Sequence, residues 1–270
     1  MWANLNNKMK IRKIITAFMW LLLIMSVAVL LSFVQNKRNG QVCRDVKINF
    51  ATTDEFHFVD SAVVFDLINR GGVDKVKGKP MQEINVSELE EQIERNSYVR
   101  NAEVYSQIEG DLVIEIQQKR PLIRVFSQSG DSYYIDELGY KMPLSDYYTA
   151  RVLVCNGAIN EQYNKIDTIG SKVLKNLYLL AQYVEKNPFW KAQFEQIFVN
   201  QEGDFVLIPK LGEQKIVFGG IENYEEKFRR LQLFYKHAIT KAGWQKYNTI
   251  NLNYSGQVIC EKNSTQSSTN

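Results

Sequence analysis

The sequence predicts a single N-terminal transmembrane helix followed by two globular domains. The first is a small α+β module of order strand, helix, helix, strand, strand; the second is a larger, strand-rich mixed α/β domain. Three observations predict this. An uncharged apolar run extends from Ile14 to Val34. Residues 42–119 then alternate between the two-residue period of strands and the 3.6-residue period of helices. Residues 120–262 hold many short alternating segments, interrupted by two long amphipathic stripes.

Residues 1–13 form a short basic tail. The run "IITAFMWLLLIMSVAVLLSFV" that follows would span roughly 32 Å as a helix at ~1.5 Å per residue, enough for a hydrocarbon layer of about 30 Å. A secretory signal peptide is the rival reading. Its apolar core usually runs about 7–15 residues and ends at a small-x-small cleavage site, which Leu30-Leu31-Ser32-Phe33-Val34 does not offer. An uncleaved span over residues 14–34 is expected. Lys8, Lys10, Arg12 and Lys13 precede it while Lys37, Arg38, Arg44 and Lys47 follow, so the Lys/Arg count does not decide the topology. The brevity of the leading segment favours a cytoplasmic N-terminus, with everything after Gln35 outside, because long soluble domains are translocated largely regardless of charge.

After a polar linker, 35–41, "VKINF" (Val46–Phe50) alternates as a strand. "FVDSAVVFDLINRGG" follows as a helix with Val64, Leu67 and Ile68 on one face and Gly71-Gly72 as its stop. In "NVSELEEQIERN", Asn85 and Glu88 have capping-box spacing, and Val86, Leu89 and Ile93 make the stripe. "NAEVYSQI", with Ala102, Val104 and Ile108 inward, turns at "EGD" into "LVIEIQQ", with Leu112, Ile114 and Ile116 inward. A three-stranded sheet under two helices would bury every one of these stripes.

A boundary falls near Lys119-Arg120-Pro121. Strands follow in "PLIRVF", "SYYI", "YKM" and "RVLVCNG", then a long helix with Val173, Leu177, Leu180 and Val184 on one side. "FEQIFVN", "DFVLIP" and "QKIVFG" read as a meander. A second helix, Glu222 to Ala242, carries Tyr224, Phe228, Leu231, Tyr235 and Ala238 at helical spacing. "YNTINLNYSGQVICE" closes the domain, and a polar, disordered tail, 263–270, ends the chain.

Composition excludes several kinds of chemistry. The net charge is +3 and the charges are dispersed. Basic clusters beyond the N-terminal region are no longer than two residues; Arg229-Arg230 lies beside Glu225 and Glu226 and reads as a solvated helix face, so no nucleic-acid surface is expected. Cys43, Cys155 and Cys260 lie far apart with no C-x-x-C, which points to buried free thiols rather than a metal site or a disulfide framework. His57 and His237 stand in no catalytic spacing. "GGVDKVKGKP" fails as a phosphate loop, because Pro80 occupies the position of the metal-binding hydroxyl. Asp131, Asp136, Glu137 and Asp146 sit in turn signals, where carboxylates make local hydrogen bonds. No catalytic residue, metal, cofactor or small-molecule substrate is expected, and a binding role is.

The final strand is where such binding would occur. Ile250, Leu252 and Tyr254 alternate with polar residues, as do Val258 and Cys260 after Ser255-Gly256. Either this segment pairs on both sides within the chain, or it leaves an edge whose free N–H and C=O groups accept a foreign strand. Ser255-Gly256 reads equally as a hairpin turn or as a bulge.

The ensemble resembles the bacterial cell-division family FtsQ, called DivIB in some lineages. The resemblance rests on the basic tail and single span, "SYVRNAEVYSQIEGDLVIEIQQKRP", "YYIDELGYKMP", "IVFGGIENYEEKFRRL" with Lys227, and "INLNYSGQVICEK". It implies a POTRA domain over residues 42–119 and the family's β domain over 120–262, in a protein of the inner membrane and division septum. It also implies a non-enzymatic role in which partners resembling FtsB and FtsL are held, an FtsB strand adding to the last strand, and further division proteins dock on the POTRA domain. Carried onto this sequence, the partner-binding residues are Ile250, Leu252, Tyr254, Ser255, Gly256 and Val258. The alternative is a POTRA-bearing transport or assembly factor for unfolded clients; that would normally adjoin a membrane β-barrel, and no run of some eight or more ten-residue strands is present.

Overall fold

The structure is a computed structural model that describes residues 18–29, 41–51, 56–70, 76–164, 168–239, 243 and 246–263. Residues 18–29 form helix α1, with Phe18, Trp20, Leu23 and Ile24 exposed. No helix among the described residues is long and apolar enough to cross a membrane. The expected span reaches past α1 at both ends, and residues 14–17 and 30–34 lie outside the described residues. So do the basic tail, the linker up to 40, the Gly71-Gly72 stop and the tail from 264.

The chain divides into two compact units. One takes the chain up to Ala51 with Asp60–Arg95 and Asn101–Ile116; the other takes Thr52–Val59, Asn96–Arg100 and everything from Gln117.

In the first unit, β1 (Val46–Phe50) lies parallel to β3 (Leu112–Gln118), which also pairs with β2 (Val99–Ser106), giving the order β1-β3-β2. Helices α2 (Ser61–Arg70) and α3 (Val86–Glu94) supply Val64, Ile68, Leu89 and Ile93 to a core shared with Ala102, Val104, Leu112, Ile114 and Ile116. The α3 cap forms as its spacing requires. The Asn85 side chain accepts from the Glu88 N–H at 3.3 Å, while the Glu88 carboxylate accepts from the Asn85 side-chain amide rather than from its main chain. Ile108, expected inward, is instead 94% exposed. Strand β2 ends at Ser106, and Gln107–Gly110 form the reverse turn, with Gly110 donating to the Gln107 carbonyl, so Ile108 stands at the turn's tip.

The second unit is built on a nine-stranded mixed sheet of order β12-β11-β10-β9-β8-β7-β4-β5-β6. Its strands are β4 (Pro121–Phe126), β5 (Ser132–Asp136), β6 (Lys141–Met142), β7 (Leu153–Gly157), β8 (Phe194–Val199), β9 (Phe205–Pro209), β10 (Lys215–Gly219), β11 (Tyr247–Asn251) and β12 (Ile259–Lys262). Helix α4 (Lys172–Lys186) is capped by Ser171, whose hydroxyl accepts from Leu174 N–H, and buries Leu174, Leu177, Leu180, Ala181 and Val184. A short helix absent from the sequence reading, α5 (Pro188–Gln193), starts on the Asn187 side chain and buries Trp190. Helix α6 (Tyr224–Phe234) passes into a π-helical turn, Tyr235–Ile239, so the single helix expected from Glu222 changes its winding after Phe234. These helices and the inward residues of the sheet, among them Ile197, Leu207, Phe218, Phe228 and Ile250, form one core. Its apolar burial, at about 25 cal/mol per Å2, is the main stabilising term. Asp136 keeps its turn role while buried, its Oδ1 accepting from the N–H groups of Leu138 and Tyr140 at 2.9 Å each.

Candidate functional site: an open sheet edge

A strand edge is a site only if its hydrogen-bonding groups are unoccupied, so the ends of the two sheets must be compared. In the small sheet, edge strand β2 is partly blocked by α3. Glu94 accepts from Ala102 N–H at 3.0 Å and Glu90 from Val104 N–H at 2.8 Å. In the large sheet, the β6 end carries a further bridge between Tyr140 and Thr168. Two ends carry no such block among the described residues: β1, which pairs only with β3, and β12, which pairs only with β11 and lies where the sequence placed the binding strand.

Which β12 groups face outward follows from two hydrogen bonds. Asn263 N–H donates to Lys246 O at 3.0 Å, across the hairpin. Main-chain groups alternate sides along a strand, so those of Glu261 and Ile259 also face β11, and those of Cys260 and Lys262 face the open edge. The β11 side agrees: Leu252 N–H donates to Val217 O at 2.9 Å, so Leu252, and Ile250 two residues before it, turn their groups toward β10, leaving the Ile250–Cys260 pair without mutual bonds.

The connection from β11 to β12 is held from below by α6. Arg230 is buried, and its guanidinium donates to the carbonyls of Leu252 (2.9 Å), Tyr254 and Gln257, with Glu226 3.4 Å from its Nε. One side chain therefore fixes both ends of the turn. The Arg229-Arg230 pair, expected as a solvated face, is so only at Arg229. Arg230 is buried with Phe228 and Leu231, where the loop carbonyls accept from its two terminal nitrogens and Glu226 pairs its charge. Lys227 is a second buried cation. Its Nζ donates to Gly220 O at 2.8 Å and lies 5.1 Å from the Phe218 ring centroid; burial lowers its pKa.

The six residues singled out by sequence fall into different settings. Ile250 and Leu252 are fully buried. Ile250 lies in β11, which has β10 on one side and β12 on the other, so its main chain is not at the edge. Tyr254, Ser255 and Gly256 form an exposed turn, with Tyr254 at 51% exposure and Gly256 at φ +70° in open space. Ser255-Gly256 is thus the turn of a hairpin. Val258 is half-buried against the core just before β12. The edge residues themselves, Ile259 to Lys262, were not among the six. Their signal was present in the alternation of Val258 and Cys260 with Gln257 and Glu261, which required the hairpin to be placed before it could be read as an edge.

A model of a POTRA-like domain matches residues 41–117, which defines the class: a POTRA-like module ahead of a helix-backed mixed sheet. A model described as FtsQ/DivIB, C-terminal related, matches residues 120–261, more than half of the chain, and the chain belongs to the FtsQ/DivIB family. No curated protein matches the chain.

Proposed function

We propose that the chain is a non-enzymatic, single-pass membrane scaffold of the bacterial division machinery, and that it takes a strand from a smaller membrane partner onto β12. In this reading residues 14–34 cross the inner membrane with the N-terminus cytoplasmic, and the domains 42–119 and 120–262 act outside the cytoplasm at the septum. The partners are FtsB-like and FtsL-like proteins, with further division components docking on the POTRA-like domain. Membership of a cell-division family supports the general role. The observation that carries strand addition is the outward main chain of Cys260 and Lys262, beside a turn that Arg230 holds in place.

Pull-down of the intact chain co-expressed with candidate partners tests this. Lys262→Pro removes an N–H that β11 does not use and should abolish capture of one discrete small partner. Tyr254→Ala should weaken it by about tenfold, the scale of an interface aromatic worth ~1.4 kcal/mol. Capture of many unfolded clients, indifferent to both changes, would contradict the reading and favour a transport factor.

A further inference from the structure

The face of the large sheet opposite its helices carries two cross-strand rows that end at β12. Direct register pairs Phe198 with Val206, Val206 with Val217, Val217 with Asn251 and Asn251 with Ile259. Directly opposed residues share a face, so these side chains form one mainly apolar row. Phe198 and Ile259, at its two ends, are each about two-fifths exposed. The adjacent row runs from Lys215 to Thr249 to Glu261. Glu261 is exposed and forms no ion pair among the described residues.

A strand added beside β12 extends both rows by one residue each. Its side chain opposite Ile259 joins an apolar row, and the one two positions away, opposite Glu261, meets a carboxylate that is unpaired among the described residues. We propose that β12 selects its partner strand by this pair: an apolar residue in register with Ile259 and a lysine or arginine in register with Glu261, two residues apart on the same face. The inference rests on the strand-addition reading above and gives it a sequence preference.

The same register makes two self-pairings with a second copy of this chain unfavourable. Antiparallel self-pairing centred on Cys260 sets Ile259 against Glu261 twice, and centred on Glu261 it sets two carboxylates together. Both are unfavourable cross-strand pairs. Pairing centred on Ile259 instead sets two isoleucines together, so it is the carboxylate of Glu261, and not the register alone, that favours a complementary basic peptide.

Panning a displayed library of randomised twelve-residue peptides on the whole chain in detergent micelles tests the proposal. The expected enrichment is an aliphatic or aromatic residue two positions from Lys or Arg, among peptides lost on Lys262→Pro. Glu261→Lys should switch the basic position to Asp or Glu and weaken the original peptides about fivefold. Peptides lost on Lys262→Pro whose composition ignores Glu261→Lys would overturn the selection pattern and leave strand addition standing. A library yielding no peptide that depends on Lys262 would contradict strand addition itself, and the pattern with it.

Discussion

Two charged residues in the second unit, the buried Arg230 and the half-buried Glu161, convert sequence into geometry, and each makes a measurable claim. Arg230 supplies donors to three loop carbonyls, those of Leu252, Tyr254 and Gln257. Arg230→Met keeps much of the side chain's volume but leaves those acceptors unpaired. It should destabilise the second unit by about 2–4 kcal/mol in denaturant unfolding followed by fluorescence of the buried Trp190. Glu161 acts elsewhere in the same unit. Its carboxylate accepts from Gly170 and Ser171 N–H at 2.8 and 2.7 Å and pairs with the buried Lys141 at 2.9 Å. Burial alone would raise its pKa, but these hydrogen bonds outweigh it and hold the group at about 2, below the ordinary 4.5. Its contribution is therefore fully present above about pH 4.5 and is lost as pH falls toward 2. Glu161→Gln should flatten acid destabilisation across that window in a pH series of unfolding curves.

At the scale of elements, most of the fold was legible because stripes of matching period met. Val64 with Ile68, Leu89 with Ile93, and Phe228 with Leu231 and Tyr235 all face the cores their spacing assigned. The failures have physical causes. Ile108 belongs to a turn whose strand stops two residues earlier, and α5 is too short for its period to register. The terminal segment was the consequential case. Its alternation marks two strands equally well, and only the hairpin turn at Tyr254–Gly256 makes β11 internal and β12 the edge. Arg230 was unreadable as a core residue, because only the folded loop brings carbonyls to it. The distinction decides where a proline is informative. At Gly256, whose φ is +70°, a ring fixed near −65° breaks the turn and says nothing about the edge. At Lys262 it should leave stability within about 0.5 kcal/mol of the parent while removing the partner.

For the whole molecule, the proposal requires both domains on the far side of a membrane from the N-terminus. A reporter that is active only outside the cytoplasm, fused at the C-terminus, should be active, and should fall silent when residues 14–34 are deleted. Strand addition itself requires only that β12 leave alternate main-chain groups for a foreign strand. Residue-resolved amide hydrogen exchange of the intact chain, with and without its captured partner, tests that most directly. With strand addition at β12, the Glu261 and Asn263 amides are protected in both states, while those of Cys260 and Lys262 exchange freely alone and become protected in the complex. A partner that binds tightly and leaves Cys260 and Lys262 exchanging as before would contradict it.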